Sequence, residues 1–186
     1  GWPAKAVDSM VDRNTLQRMV STSGSVAMNA LLDGLWESNR LAIEIPSAHT
    51  SALVHSCAFV FLGRGVVGSG EPEVVISVKS AEDASAIWDS RRRCVSAALS
   101  VDDRDILTGA ATLMHVYLPA ADDRPGRVLR ISPNTWGGME AVEVATFSGT
   151  VPVEVLPYQP TLTRPFGRSR ITRGVMYQTD AAMRTM

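Results

Sequence analysis

The spacing of hydrophobic positions changes once along the chain, near residue 40. Before that point apolar residues recur every three or four positions, as Val7, Met10 and Val11, then Leu16, Met19 and Val20. After the break "STSGS" the same step returns in Met28, Leu31, Leu32, Leu35 and Trp36. One face of a helix repeats at that step, so residues 7–36 read as two short helices. From Leu41 the step becomes two. "LAIEIP" puts Leu41, Ile43 and Ile45 on one side and Glu44 on the other, the pattern of a half-buried strand. "ALVHSCAFVFLG" is long and apolar enough for one buried strand. "EVVISVKS", "AATLMHVYLP", "GRVLRIS", "AVEVATF" and "GTVPVEVLP" follow with the strand pattern, and Cys94–Val101 forms a further strand.

Two segments between these strands read as short helices. "SAEDASAIW" starts with Ser80 and has Asp83 three residues on, a capping arrangement. "SVDDRDILTG" offers Ser100 or Asp102 as an N-cap, acids in the first turn and Gly109 as a stop. The order does not alternate strand and helix as a parallel α/β sheet would. The expectation is a mostly β fold: an antiparallel eight-stranded jelly-roll sandwich with N-terminal helices and short helical insertions. The chain divides into an N-terminal helical segment (1–38), the β-sandwich (39–156) and a C-terminal arm (157–186). The arm has three prolines in its first nine residues and no sustained period, so it reads as an extended segment ordered by a partner.

Composition adds limits. A length of 186 residues suits one ordinary domain, and 45% hydrophobic residues suffice for a core. No apolar run approaches the roughly 18 residues of a membrane span. The chain opens on Gly1 rather than Met, which fits missing upstream residues or release from a longer polyprotein. Two cysteines, Cys57 and Cys94, are too few for a disulfide framework and read as buried, reduced thiols. Net charge is −1, yet it is unevenly spread. Of 18 basic residues only Lys5 and Lys79 are lysines. Residues 157–186 hold five arginines against Asp180 alone, a balance of 5 − 1 = +4.

Little in the chain carries chemistry. "FLGRGVVGSG" contains Gly63-x-Gly65-x-x-Gly68, the spacing of a dinucleotide fingerprint. That motif requires a helix directly after the glycines, whose N-terminus holds the pyrophosphate. Here Gly70 and Pro72 intervene and Glu73–Val78 is a strand, so the glycines read as a turn between two strands. His49 and His55, placed on one strand face, would stand about 20 Å apart, too far for one metal. His115 reads as a strand histidine with a satisfied hydrogen bond. Asp102, Asp103, Asp105, Asp122 and Asp123 read as turn-capping or solvated carboxylates. No catalytic residue, cofactor or metal is expected, and the chain is not expected to be an enzyme. What remains is basic. Arg91, Arg92 and Arg93 form a compact triplet, and Arg164, Arg168, Arg170 and Arg173 lie along the arm. Arginine favours bidentate phosphate contact, so both groups are RNA-binding candidates.

A leading helical segment, about eight short strands and an arginine-bearing arm together resemble the single jelly-roll coat protein of small icosahedral RNA viruses, especially of plants. The segments that carry the resemblance are "NRLAIEIP", "LVHSCAFVFLGRGVV", "EVVISVKSAEDASAIW", "ATLMHVYLPA" and "VEVATFSGTVPVEVLPYQP", within residues 39–160. The chain departs from that family in lacking a strongly basic N-terminal arm: residues 1–40 hold only Lys5, Arg13, Arg18 and Arg40. The resemblance implies a capsid subunit that assembles with identical or related subunits, packages viral RNA, involves no membrane, and resides in the virion after assembly in the host cytoplasm. The alternatives are a jelly-roll RNA-binding protein of the movement type and a β-sandwich that binds a small molecule or acts as an enzyme.

Overall fold

The computed structural model describes residues 2–66, 68–121 and 123–184; Asp122, one of the expected capping carboxylates, lies outside them. Three helices lead: α1 (Trp2–Val11), α2 (Val26–Ser38) and α3 (Leu41–His55). Eight strands follow: β1 (Cys57–Arg64), β2 (Val74–Ser80), β3 (Ala84–Asp89), β4 (Cys94–Arg104), β5 (Ala111–Leu118), β6 (Gly126–Pro133), β7 (Met139–Phe147) and β8 (Val153–Pro157). A last helix, α4, spans Arg173–Arg184. The fold is mostly β and antiparallel, in sheets of three strands (β2-β1-β8) and five (β3-β4-β5-β6-β7). The five-stranded sheet has the order of a meander, each strand beside its neighbour in sequence, without a jelly-roll crossover inside it. The chain forms two compact units, one of residues up to Ser80 together with Leu156 onward, the other Ala81–Val155.

In the first unit α3 packs on β1 and β2, and α1 and α2 pack on α3. The core is Leu41, Ala48, Ala52 and Leu53 of α3 against Cys57, Ala58, Phe59 and Phe61 of β1. The buried positions of α3 repeat at helical spacing, which corrects the expected strand at Leu41–Ile45. The short alternation there was misleading: Leu41 is buried, while Ile43 is 67% exposed. His49 and His55 therefore stand on a helix, not a strand. The buried Ser51 hydroxyl donates to the Cys57 carbonyl at 2.9 Å, tying the helix to the strand it feeds. Burial raises the Cys57 thiol pKa, with a smaller opposing effect from a hydrogen bond involving the Ser56 side chain. Asn39 guards the outer edge of β2: its amide donates to the Val74 carbonyl at 3.0 Å and accepts from the Ile76 N–H at 2.7 Å.

Where the sequence predicted an extended arm, residues 158–170 bond to their own chain and Arg173–Arg184 is helix α4. The Tyr158 N–H donates to the Ser56 carbonyl at 2.8 Å and the Arg170 N–H to the Leu53 carbonyl at 2.8 Å. The Ser169 hydroxyl donates to the Val54 carbonyl at 2.6 Å, and the Phe166 ring lies 6.2 Å from that of Phe59. These contacts satisfy the carbonyls left at the C-terminal end of α3.

Both expected helical insertions are turns and strands instead, the first linking β2 of one sheet to β3 of the other and the second a hairpin. "SAEDASAIW" forms the turn into β3 and β3 itself, and "SVDDRDILTG" forms the end of β4 and the turn that follows. Acids that satisfy the first N–H groups of a helix also satisfy those of a tight turn, so the two share a sequence signal. Asp83 forms an ion pair with Arg104 at 2.9 Å, and its carbonyl accepts from the Val101 N–H at 2.7 Å. The buried side chains of the second unit include Ala84, Val95, Ala98, Val128, Val151 and Val153.

The glycine-rich segment joins β1 and β2 as expected, with Arg64 opposite Val74 and the Gly65 N–H donating to the Glu73 carbonyl at 3.1 Å. The motif's first two glycines differ in their surroundings. A Cβ at Gly63 would meet open space, whereas one at Gly65 would run into the Pro72 carbonyl. Gly65→Val is expected to cost about 2 kcal/mol or more, the scale of overpacking against fixed backbone. Gly63→Ala, in a strand and with open space at the Cβ, is expected to be neutral or to stabilise by up to about 1 kcal/mol. Urea unfolding of the two variants measures the difference, and equal costs would refute the close-approach account.

Candidate functional site

Adjacent strands of the meander run in opposite directions, so its turns fall alternately at two ends. The β3–β4 turn (90–93) and the β5–β6 connection (119–125) lie at one end. The β4–β5 turn (105–110) and the β6–β7 turn (134–138) lie at the other. Three of these four turns are fixed by a side chain that folds back onto the backbone. The Asp89 carboxylate accepts from the N–H groups of Arg91 and Arg92 at 2.8 and 3.0 Å. Asp105 accepts from the N–H groups of Leu107 and Thr108 at 3.0 and 2.7 Å and from the Thr108 hydroxyl at 2.8 Å. Asn134 accepts from the N–H groups of Trp136 and Gly138 at 3.0 and 2.8 Å. These donors hold the Asp89 and Asp105 carboxyls below the ordinary aspartate range, with Arg92 N–H the leading cause for Asp89 and Thr108 N–H for Asp105.

The two ends carry different chemistry. The first displays Arg91, Arg92 and Arg93 on one turn and Arg124 on the next. Arg92 approaches Asp89 only to 4.0 Å, so the triplet keeps its guanidinium groups facing solvent. The second end displays Ile106, Leu107 and Trp136, which are 99%, 94% and 91% exposed. These large apolar side chains, at the tips of self-braced turns, take no part in the unit's own core. The signal was present in "DILTG" and "NTWGG", where apolar residues sit inside turn chemistry, but a pattern of periods does not weigh a single residue.

The arginines expected to bind RNA do not gather in one place. Arg91, Arg92 and Arg93 belong to the second unit; Arg164, Arg168, Arg170 and Arg173 belong to the first. Arg168 donates twice to the Gln159 side chain, at 2.9 and 2.6 Å, and Arg170 donates to the Tyr158 hydroxyl at 3.1 Å. Arg164 closes a small turn with Thr161 through its backbone, and Arg173 opens α4. Two of the four arm arginines thus spend donors on their own chain.

Residue types used in hydrolases do meet on the five-stranded sheet. His115 Nδ1 lies 2.6 Å from an Asp102 oxygen, and the Ser100 hydroxyl donates to the same oxygen at 3.1 Å. The carboxylate is the hub, so the serine is bonded to the acid and not to the histidine. Nucleophilic activation needs a serine–base hydrogen bond. The cluster therefore satisfies polar groups on the sheet, and His115 is the hydrogen-bonded strand histidine expected from the sequence. Among the described residues no group of three or more His, Cys, Asp or Glu could hold a metal ion, and no helix is long and apolar enough to cross a membrane. In the first unit, α1, α3 and residues 156–158 enclose an apolar cleft of about 430 Å³ lined by Met10, Val11, Ala52, Leu53 and Leu156, with His49 in its wall. The Nδ1 atom of His49 is buried and has no hydrogen-bond partner.

Tyr117 lies beside this polar cluster. Burial, and secondarily the Asp102 charge, pushes its pKa from 10 to about 12. A raised acid pKa in the folded state means stability intact below pH 10 and lost progressively between pH 10 and 12. Spectrophotometric titration at alkaline pH should show one of the three tyrosines ionising late. Tyr117→Phe should remove that late step and flatten the fall in stability over the same window. A wild-type chain whose three tyrosines ionise together near pH 10 would contradict the buried placement of Tyr117.

No protein-family model matches the chain. Over its whole length the chain is similar to the portal protein of Mycobacterium phage L5, with 29% identity across 192 aligned positions. It is likewise similar to the portal protein of Mycobacterium phage D29, with 24% identity across 209 positions. The chain covers 37% and 38% of those two proteins, so it spans somewhat over a third of the length of the curated relatives it matches.

Proposed function

We propose that this chain is part of a phage structural protein of the portal type, acting by assembly with identical copies in the virion and not by catalysis. The observation that carries the reading is the full-length similarity to two phage portal proteins. Portal proteins form oligomers of identical subunits. Two physical features support assembly. The hairpin tips present Ile106, Leu107 and Trp136 to solvent, and the edge strand β7 is exposed over nearly its full length. The viral-structural part of the coat-protein expectation is kept in this reading. The plant-virus part has no support in the comparisons, which point to phages instead. Sedimentation velocity and electron microscopy of the purified chain test the proposal. The expected result is a discrete, closed oligomer at micromolar concentration; a chain that stays monomeric at all concentrations and salt conditions would overturn it.

A second reading concerns nucleic acid, the partner first expected as viral RNA, and rests on the gathering of Arg91, Arg92, Arg93 and Arg124 at one end of the sheet. Arginines in solvent neutralise phosphates in a sequence-independent, salt-dependent manner. Changing Arg91, Arg92 and Arg93 together to Ala should lower the slope of log affinity against log salt by up to about three for single-stranded RNA or duplex DNA. An unchanged slope would remove this end of the sheet from any nucleic-acid role.

A further inference from the structure

At the arginine end of the five-stranded sheet two hollows adjoin, with Pro119 in the wall of both. The smaller, about 320 Å³, is lined further by Ala121, Asp123, Arg124, Pro125 and Arg127. The larger, about 620 Å³, is built on Pro119, Ala120 and Val151, with Ser96, Thr150 and Arg92 also in its walls. Both volumes fall in the range of small-molecule sites. All of these residues belong to the second unit.

The smaller hollow is fixed by its own backbone. The Ala121 N–H donates to the Arg124 carbonyl at 3.1 Å, and the Arg124 N–H donates to the Ala121 carbonyl at 2.9 Å. Pro119 and Pro125 lock the backbone on either side of this bridge. Arg127 is half-buried on β6, opposite Leu118 of β5 and Thr146 of β7. Neither Arg124 nor Arg127 has an ion-pair partner among the described residues. Two guanidinium groups with unspent donors in one hollow fit an anion that carries several oxygens.

The acids nearby leave this end basic. Residues 89–93 and 119–127 hold five arginines and three acids, 5 − 3 = +2, in a chain of net charge −1. Asp89 is engaged by the N–H groups of its own turn, and Asp123 is the acid that lines the smaller hollow. A phosphate monoester brings about two negative charges and three acceptor oxygens, enough for both arginine forks. A lone carboxylate has oxygens for one fork.

We infer that the two hollows together hold a nucleotide, its phosphate between Arg124 and Arg127 and its sugar and base in the larger hollow. Pro119, Ala120 and Val151 give that hollow apolar surface, and Ser96 and Thr150 give it polar partners. Thr150 makes no hydrogen bond among the described residues, so its donors and acceptors are unspent. The nucleotide is either free or the end of a nucleic-acid strand, because both present the same terminal phosphate. The inference deepens the nucleic-acid reading above and rests on the same end of the sheet, but on other arginines.

Equilibrium dialysis of the chain at low salt, with adenosine monophosphate, inorganic phosphate and adenosine as probes, tests it. The monophosphate should bind about tenfold more tightly than phosphate or adenosine, since each of those fills one hollow only. Arg124→Gln with Arg127→Gln should weaken the monophosphate about thirtyfold, the scale of lost charge-assisted hydrogen bonds. Ala120→Trp, at an exposed position, fills the larger hollow; it should bring the monophosphate to the level of inorganic phosphate and leave phosphate binding unchanged. Arg91→Ala with Arg93→Ala should change monophosphate affinity by less than about twofold, because solvent screens residues outside the hollows. Circular dichroism checks that each variant folds. Displacement of the monophosphate by a 5′-phosphorylated oligothymidylate would assign the site to a strand end, and no displacement would assign it to a free nucleotide. No monophosphate binding at about 10 mM, affinity equal to that of inorganic phosphate, or affinity unchanged in the double glutamine variant would each overturn the inference. The nucleic-acid reading would then stand or fall on the salt slope of the Arg91, Arg92 and Arg93 variant alone.

Discussion

The second unit depends on a local hydrogen-bond constraint: an Asx side chain, placed at the start of a turn, accepts from backbone N–H groups two to four residues ahead. Asp89, Asp105 and Asn134 each do this. Each bond satisfies backbone donors that would otherwise be left at the turn, and so fixes where one strand ends and the next begins. Four consecutive hairpins then follow with no long-range crossover, and the sheet is a meander. Which residues reach the two ends is thereby settled by sequence distance from a capping residue.

That constraint explains the division of surface chemistry. Strand residues alternate between faces, but turn residues leave the sheet, so whatever lies between capping residue and next strand is presented outward. Arg91, Arg92 and Arg93 are presented at one end, and Ile106, Leu107 and Trp136 at the other. An apolar residue on a strand can be shielded by its cross-strand neighbours; one at a turn tip cannot. The near-complete exposure of the three apolar tips follows from this placement, and so does their availability to another chain.

The first unit solves a different problem, how to end a helix that runs directly into a buried strand. The C-terminal carbonyls of α3 have no helical partners. Residues 158–170 return to that point, and Ser169 and Arg170 donate to the Val54 and Leu53 carbonyls. The arginine-bearing segment is therefore structural before it is anything else, which accounts for the internal engagement of Arg168 and Arg170.

Local pattern alone placed the strands β2 and β4 to β8, the helix α2 and the glycine turn between β1 and β2. It did so because side-chain alternation and turn chemistry are local properties. Of the first expected helix only the part up to Val11 is helical, and Leu16, Met19 and Val20 lie in irregular chain. The pattern misread Leu41–Ile45 as a strand because five residues are too short to separate a period of two from one of 3.6; the burial of Ala48, Ala52 and Leu53, set by packing on β1, decided for helix. It misread two turns as helices: Asp105 accepts from turn N–H groups as it would from a first helical turn, while Asp83, expected in a cap, pairs with Arg104 instead. The apolar cleft lined by α1, α3 and residues 156–158, the serine bonded to Asp102 rather than to His115, and the separation of the arginines into two units arise only in the tertiary structure. Each depends on which residues distant in sequence come together, and no local pattern encodes that.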